Sequence, residues 1–436
     1  MIKHTEPPGF AMDDLLNAAH ADPALMPDFA ALCAFGGRLA GSGEEVAAME
    51  WALGRLHAIG GAVSHLQVPY AGWRCHRASL SLLGPPATPL ACKPLLRSIS
   101  TPAGGLIGEV IDLGQGRIED FDAAGEKVRG KIALTRHEYP FSPRHMHRRR
   151  KVDLAVARGA IGFLIANPWP GGGLMSGWSG RPFGGAGIPA AYIDHASAER
   201  ITGAQSPARV HLAIDGEELP GALADVGVLD IAGGSADRIV ISAHIDGHDL
   251  GHSALDNATG VAVALAAARA LAPRIGPTTH GLRVCFFSAE EWALAGSARY
   301  LADMAPAERK SLRLNINLDT VAGDDSLTAL ISDFPQLARL VEDTARLAGR
   351  PVGHYLPLMP NSDHANFAAH GIPALRLVAG FDRPQSRVSA ILSGDDLPGV
   401  VNEEELRRAL RVTCAMAWQA LTAPEHVLAR FASRSS

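Results

Sequence analysis

Three short apolar runs in the C-terminal half of the chain end at, or lead directly into, histidine or acidic residues. They are RIVISAH at 238–244, LRVCFFS at 282–288 and LRLNINLD at 312–319, and a helical stretch over 258–272 separates the first two. Continuous apolar strands that alternate with helices are typical of a parallel sheet covered on both faces. The C-terminal half is therefore predicted to be α/β, with a further strand in PALRLVA at 373–379.

The middle of the chain has a different pattern. The runs GEVIDLG, GKIALTR, AIGFLIANP and GIPAAYID are short, rich in β-formers and divided by Gly, Pro and charged turns, which predicts a small β-rich domain over residues 99–217. The N-terminal part carries an amphipathic helix with apolar residues at Val46, Met49, Leu53 and Leu56. Because this part is short, we predict that residues 1–98 and 218–436 form one discontinuous α/β domain with 99–217 inserted.

Composition and charge exclude several classes of protein. A formal net charge of −5 argues against a nucleic-acid or membrane-surface binder, and the basic run at 144–151 is short enough to be a solvated helix start or a contact for a substrate carboxylate. No stretch reaches the length of a membrane span, and the first residues lack the apolar run of a secretory signal. Five scattered cysteines indicate reduced, mostly buried thiols. We predict a cytoplasmic protein, and a homo-oligomer is left open.

The residues that follow the three apolar runs form a candidate metal site. Ligands in open α/β sheets bind beyond the carboxyl ends of the strands, so these residues are expected to converge. Histidine and carboxylate side chains are ligands that zinc accepts. Each residue alone is also explained as a helix cap or a surface group, but two adjacent carboxylates near a core repel each other unless a cation or a proton compensates. The candidates are His244, Asp246, Asp256, Glu290, Glu291 and Asp319.

Five motifs give the chain a resemblance to a known family. The segments AHID, ALDNATG, FFSAEEWALAGS, NLD and NSDHANFAAHGIPAL, together with GGRLAGS near the N-terminus, resemble the M28 family of zinc aminopeptidases and carboxypeptidases. The middle segment resembles the protease-associated (PA) domain through VRGKIAL, RRRKVDLAVARGAIGFLIANP and GIPAAYI. The resemblance implies a phosphorylase/hydrolase-like three-layer α/β/α sandwich that carries two Zn²⁺ ions bridged by a carboxylate and a water.

The resemblance also implies a role for each candidate residue. His244 and Asp319 are expected to bind one zinc, Asp256 to bridge both, and Glu291 to bind the other. Glu290 is expected to act as general base, taking a proton from the bridging water and passing it to the leaving amine. The Asp246 carboxylate is expected to accept the other ring N–H of His244 and so fix its tautomer.

One position departs from the family pattern. The family supplies the last zinc ligand from a histidine that follows the SDHxxF motif, and Leu392 stands there in this chain. An aliphatic side chain cannot replace an imidazole. We predict His364 as the substitute, with His354, His370, His248 and His252 as further candidates. A single-zinc enzyme, a loosely held second metal and a degenerate site remain alternatives.

Four residues are candidate substrate contacts. His248 and His252 follow the first strand in a glycine-containing loop and are predicted to face substrate, since Gly247 and Gly251 argue against a helix there. Arg376 and Arg383 follow the NSDHANF segment and are candidates for a bidentate contact with a substrate carboxylate. Each arginine is equally well explained as a structural or surface residue.

The leading hypothesis is a metal-dependent hydrolase that acts on a short peptide or an N-acyl amino acid. A peptidase-like binding protein with a decayed metal site is the alternative from another class, motivated by Leu392. A third hypothesis is acyl transfer at a single zinc, as in glutaminyl cyclases. Retention of Glu290 favours the hydrolase, because a general base has no evident use in a binding protein.

Overall fold

The apolar runs form strands whose bounds were obtained from a computed structural model that describes residues 12–204 and 207–434. Residues 1–11, where the N-terminal prediction partly falls, lie outside the described chain. The strands are β1 Ala62–Leu82, β2 Thr88–Leu90, β3 Cys92–Pro94, β4 Leu106–Asp112, β5 Ile132–Arg136, β6 Gly162–Ala166, β7 Ala190–Ile193, β8 Arg209–Ile231, β9 Arg238–His244, β10 Gly281–Phe287, β11 Leu312–Leu318, β12 Leu327–Leu330, β13 Gly353–Tyr355 and β14 Ala374–Ala379.

The helices fall between these strands. They are α1 Met12–His20, α2 Leu25–Ala34, α3 Gly43–Ile59, α4 Ile118–Ala124, α5 Arg148–Ala157, α6 His195–Thr202, α7 Thr259–Leu271, α8 Ala295–Asp303, α9 Pro306–Ser311, α10 Leu337–Ala348, α11 His364–Ala369, α12 Glu403–Leu421 and α13 Glu425–Phe431. The predicted helix near residue 50 is α3, but Val46 is exposed and the buried face uses Ala48, Met49, Ala52 and Leu56 instead.

The described chain forms two compact units. The first contains residues 12–70, 223–391 and 396–434, and the second contains residues 71–222 and 392–395. These limits differ from the domain boundaries at 98/99 and 217/218 that were inferred from the sequence. Those domain boundaries remain a prediction. Strands β1 and β8 are long enough to belong partly to each unit.

The first unit is built on a mixed sheet. Its strand order is β13-β12-β14-β11-β9-β10-β8. The neighbours β14, β11, β9 and β10 run parallel. Strand β8 pairs antiparallel with β10, and β12 pairs antiparallel with β14. The sheet is therefore mixed, where the sequence predicted a parallel one. Helices α7 and α12 contact each other and the central strands, and α8 and α11 form a separate group that contacts β11 and β14. This is the α/β/α sandwich expected from the sequence.

The second unit contains its own small sheet. Strands β4, β5, β6 and β7 are parallel neighbours, β3 pairs antiparallel with β7, and β4 pairs antiparallel with β8. Helices α4, α5 and α6 alternate with these strands, so the unit holds more helix than its β-rich sequence suggested. The last four residues of the basic run, 148–151, start α5, as predicted. Arg144 and Arg150 are exposed, but Arg148 and Lys151 are buried, so the run is only partly solvated. Lys151 pairs with Glu138 at 2.8 Å.

One described helical stretch is apolar and long enough to cross a membrane by length and composition alone. It covers residues 254–274, and 89% of its most apolar window is buried inside the structure. It contains α7, which packs against α12 and the central strands. Its apolar composition is therefore explained by its burial inside the first unit.

Candidate metal centre

The carboxyl ends of three neighbouring strands bring most of the candidate residues together. His244 is the last residue of β9, Glu290 and Glu291 follow β10, and Asp319 follows β11 directly. Strand β9 lies between the other two and pairs in parallel with both, with Phe287 opposite His244 and Asn317 opposite Ser242. Parallel pairing in this register places the three strand ends at one edge of the sheet, as expected for a site in an open α/β fold.

Asp256 reaches the same edge from a break in the chain ahead of α7. Its backbone, at φ −120° and ψ 86°, is not helical, and the peptide bond to Asn257 is cis. The Asn257 side-chain amide donates to the Leu318 carbonyl at 2.8 Å. The Asp396 carboxylate accepts the main-chain N–H groups of Leu255 at 2.7 Å and of Asp256 at 3.2 Å. These contacts fix where the Asp256 side chain emerges.

Two groups of ligand-type atoms share the Asp256 carboxylate. The first joins His244, Asp256 and Asp319, and the second joins His248, Asp256 and Glu291; within each group the ligand atoms lie within 4.8 Å of one another. His244 Nε2 is 3.0 Å from Asp256 Oδ1 and 3.6 Å from Asp319 Oδ1. His248 Nε2 is 2.8 Å from Glu291 Oε1. All five residues are buried, and each group can hold one metal ion.

A chain of buried contacts orients these ligands. His244 Nδ1 lies 3.1 Å from the Asp246 carbonyl oxygen and 3.5 Å from Asp246 Oδ1, so the nearer acceptor is the main chain, whereas the sequence predicted the carboxylate. Asp319 Oδ1 pairs with Arg376 at 3.0 Å. Burial alone would raise the pKa of Asp319, but Arg376 and His244 hold that pKa well below its usual range.

The charges around the site fit a divalent cation. Burial raises the pKa of Glu290 and that of Glu291, and the mutual repulsion of neighbouring carboxylates raises them further. The pKa of Asp363 rises to about 7 for the same reasons. Carboxylates this numerous tolerate burial only when cations compensate them, and here they outnumber the buried guanidinium groups of Arg38 and Arg376. The buried carboxylates are Glu45, Asp246, Asp256, Glu290, Glu291, Asp319, Asp363 and Asp396.

Strained backbone accompanies the candidate ligands. Ala289 before Glu290, Thr320 after Asp319 and Ser253 in the loop after His248 all have positive φ, at 58°, 59° and 46°. A non-glycine residue in this region costs on the order of 1 kcal/mol and is concentrated at functional sites. These positive φ angles could not be predicted, because alanine and threonine are not residues that favour left-handed backbone.

Several predicted site residues take other positions. His364 is buried but belongs to neither ligand group, and burial together with the Arg376 charge lowers its pKa to about 3. His364 is thus not part of the group that contains Glu291, where it was expected, and the 245–253 loop brings His248 to that carboxylate. His252 points its Nδ1 at the Cys33 carbonyl, 3.0 Å away.

Both arginines that were predicted as substrate contacts pair with carboxylates of the protein. Arg376 is 1% exposed, pairs with Asp319 and donates to the Asn361 carbonyl at 2.8 Å. The buried strand position of Arg376 in PALRLVA is the signal that sequence reasoning missed. Arg383 is more than half exposed and lies 3.3 Å and 3.2 Å from the carboxylates of Asp324 and Asp325.

Sequence reasoning also missed Arg38, which lies in the GGRLAGS segment. It is fully buried, and its guanidinium donates to the main-chain carbonyls of Ile245, His252 and Ser253 at 3.1, 2.9 and 3.0 Å. These acceptors lie in the loop that carries His248. The available signal was the arginine itself, placed between glycine and leucine in a segment with little other charge.

Comparison with known proteins gives a consistent result. Residues 228–399 match the family model for peptidase family M28, and residues 98–201 match the model for the PA domain. A probable leucine aminopeptidase from Aspergillus fumigatus is 30% identical over 37% of this chain, and aminopeptidase YwaD from Bacillus subtilis is 25% identical over 42%. The aligned parts span only 34% and 41% of those two proteins.

Solved structures extend the likeness in fold to nearly the whole chain. A peptidase M28 precursor from Shewanella amazonensis superposes with a TM-score of 0.78 at 23% identity, covering 94% of this chain and 96% of that one. A zinc aminopeptidase from Bacillus subtilis gives a TM-score of 0.72 at 20% identity, with the same coverage of 94% and 96%. At these identities the likeness establishes the fold.

Proposed function

We propose that this protein is a zinc-dependent hydrolase of the aminopeptidase type, because residues 228–399 match the model for peptidase family M28 and residues 98–201 match the model for the PA domain. The observation that carries the proposal is the pair of histidine–carboxylate groups that share Asp256. Glu290, which precedes Glu291 in the chain, is buried and interacts electrostatically with His244 and Asp319. The substrate class is a short peptide with a free N-terminus, as suggested by the named activity of the relatives, and an N-acyl amino acid remains the second candidate.

The residues suit a hydrolytic role without a covalent intermediate. His244, Asp256 and Asp319 would hold one zinc, and Glu291 with Asp256 the other. When bound, zinc supplies Lewis acidity toward the scissile carbonyl and lowers the pKa of water. Glu290 would take a proton from the attacking water and return it to the leaving amine. Asp246 contacts both His244 and the Glu290 main chain, which keeps the base and the ligand in register.

A decayed binding protein is less well supported. Its motivation was Leu392, at the position where the family carries its last histidine ligand. Because His248 lies beside Glu291, the second ligand group does not depend on residue 392. The glutaminyl cyclase alternative has no specific observation in its favour.

The test combines metal content with a substrate pair. Purified full-length protein is stripped with a chelator, reloaded with Zn²⁺ and assayed on a dipeptide and on its N-acetylated form. We expect activity to disappear on stripping, to return with zinc, and to prefer the free N-terminus by at least tenfold. Full activity in stripped protein would overturn the metal-dependent proposal, and preference for the acetylated form would shift the substrate class to N-acyl amino acids.

A further inference from the structure

We infer that His248 supplies the imidazole ligand of the Glu291 half of the centre, so that the ligand has moved from the chain position of Leu392 to the loop after β9. This inference rests on the proposed function, because it assigns a residue within the same site. Its Nε2 lies 2.8 Å from Glu291 Oε1, and its ligand atom lies within 4.8 Å of those of Asp256 and Glu291. The ring is 1% exposed.

The ligand chemistry is that of a zinc site. One imidazole nitrogen and two carboxylates form a set that zinc accepts with a position left for water or substrate. Among the described residues, two groups of this kind are formed, and each contains one histidine and two carboxylates. The second group thus repeats the composition of the first, which is the arrangement a pair of equivalent ions requires.

The loop that carries His248 is fixed on both sides. The Arg38 guanidinium donates to the carbonyls of Ile245, His252 and Ser253, and the Gly247 N–H donates back to the Arg38 carbonyl at 2.9 Å. The His248 N–H donates to Ser253 Oγ at 3.1 Å. The direction of His248 is therefore set by the folded loop, as a preorganised ligand requires.

Close packing against the N-terminal segment adds to this restraint. A Cβ at Gly37 would lie 2.8 Å from the His248 carbonyl oxygen and 2.9 Å from the Asp249 Cα. Only glycine allows the two backbones to approach this closely. The GGRLAGS segment thus holds the loop through Gly37 and Arg38 together.

The other histidine candidates lie outside this group. His252, four residues along the same loop, directs Nδ1 to the Cys33 carbonyl. His364 is buried and belongs to neither ligand group. His354 and His370 are exposed, the first in β13 and the second just after α11. Within the described chain, His248 is the histidine that meets Glu291.

The experiment measures metal stoichiometry and affinity in the full chain. Stripped protein is titrated with Zn²⁺ by calorimetry, and bound metal is counted by mass spectrometry after dialysis against buffered zinc. For wild type we expect two equivalents. For His248→Ala we expect one equivalent to be retained and the other to weaken by more than about 100-fold, beyond the effect of losing an outer-shell contact. His252→Ala is the matched control and should retain both.

The variant His248→Gln covers the case in which alanine disturbs the loop. Glutamine keeps the size of the side chain and removes the imidazole, and the thermal midpoint of the metal-free variant shows whether the fold is intact. Two equivalents of unchanged affinity in a folded His248→Gln variant would overturn the inference and leave the proposed function standing. A wild-type protein that binds no zinc would overturn the proposed function itself.

Discussion

The main-chain N–H of Glu290 donates to Oδ1 of Asp246 at 3.1 Å. The other carboxylate oxygen of Asp246 accepts the N–H of Glu291 at 3.3 Å. One buried aspartate thus fixes the backbone of both the proposed base and the neighbouring ligand, while it also lies next to His244. The side chain connects the ends of β9 and β10 at the point where the chemistry is proposed.

Replacing Asp246 with asparagine should misplace Glu290. The amide can accept one of the two N–H groups but presents its own NH₂ to the other, which leaves a buried donor unsatisfied at a cost of about 1–3 kcal/mol. We expect kcat to fall by at least tenfold with a smaller change in KM. Steady-state kinetics and chemical denaturation measure the two effects. Asp225→Asn, at a buried carboxylate that pairs with His65, is the control, and equal kcat losses in both variants would contradict this role.

Glu290→Gln should separate chemistry from metal binding. The amide keeps the shape of the side chain but cannot accept a proton, so turnover is expected to fall by about 10²- to 10⁴-fold. Zinc content, measured on the same sample, should stay at the wild-type value. Glu291→Gln is the matched comparison because the adjacent residue is a proposed ligand, and we expect that variant to lose metal. Retained turnover in Glu290→Gln would remove this residue from the role of base.

Much of this architecture could be predicted from the sequence, for a physical reason. Strands buried on both faces are continuously apolar, so β9, β10 and β11 stand out, and the polar residues that end them must meet at one sheet edge. Which of the candidate histidines lies beside Glu291 could not be predicted, since His364 was preferred and His248 has that position. It depends on the conformation of the 245–253 loop, which is set by Arg38 from more than 200 residues away.

The same contrast applies to Arg376. The strand that contains Arg376 was predicted from the sequence. The acidic residue with which a buried arginine pairs, however, depends on which strand lies next to it. Because β14 lies beside β11, the Arg376 guanidinium meets Asp319. Sequence periodicity locates such a residue in an element, and only the strand order identifies its contact.

Arg38→Lys should loosen the loop that carries His248. Lysine keeps the charge but offers three donors at one point, so it cannot reach the separated carbonyls that the planar guanidinium contacts. We expect a loss of about 2–4 kcal/mol in the free energy of unfolding, because several buried carbonyls lose their donor. Zinc affinity of the Glu291 half should fall more than that of the His244 half. Denaturation and zinc titration test both effects.

The control for Arg38 is Arg55→Lys. Arg55 is 44% exposed and pairs with Asp28, so its replacement is expected to change stability by less than about 1 kcal/mol. If Arg38→Lys and Arg55→Lys have equally small effects, the guanidinium contacts do not hold the loop.

Metal removal should lower stability in a concentration-dependent way. The buried carboxylates repel each other without a cation, and an ion that binds only the folded chain stabilises it by about 4 kcal/mol at 1,000 times its Kd. We expect the thermal midpoint to rise with free Zn²⁺ over several decades of concentration. Calorimetry in buffered zinc measures this rise. A midpoint that does not respond to zinc or to chelator would show that the carboxylates are compensated within the chain.

The second unit should lose stability in mild acid. The direction of this change follows from the lowered pKa values of three histidines near the start of α5. Burial, with the charge of Arg148, keeps the pKa values of His137 and His147 well below the ordinary 6.5. Burial also lowers the pKa of His145 to about 4, although Glu138 opposes the shift. Between pH 6.5 and pH 4 the unfolded chain therefore binds more protons than the folded one, so stability falls as pH falls, by up to about 1.4 kcal/mol per pH unit for each histidine.

Hydrogen exchange followed by mass spectrometry can assign this loss to the second unit. We expect peptides from β5, α5 and β7 to lose protection between pH 6.5 and pH 5 after correction for the intrinsic exchange rate. His145→Gln should reduce the slope by about one third, since it removes one of three neutral histidines, and His76→Gln, at an exposed position in β1, is the control. A slope of the same size in His145→Gln and wild type would show that the folded chain takes up the proton at this site without cost, and would place the acid sensitivity elsewhere.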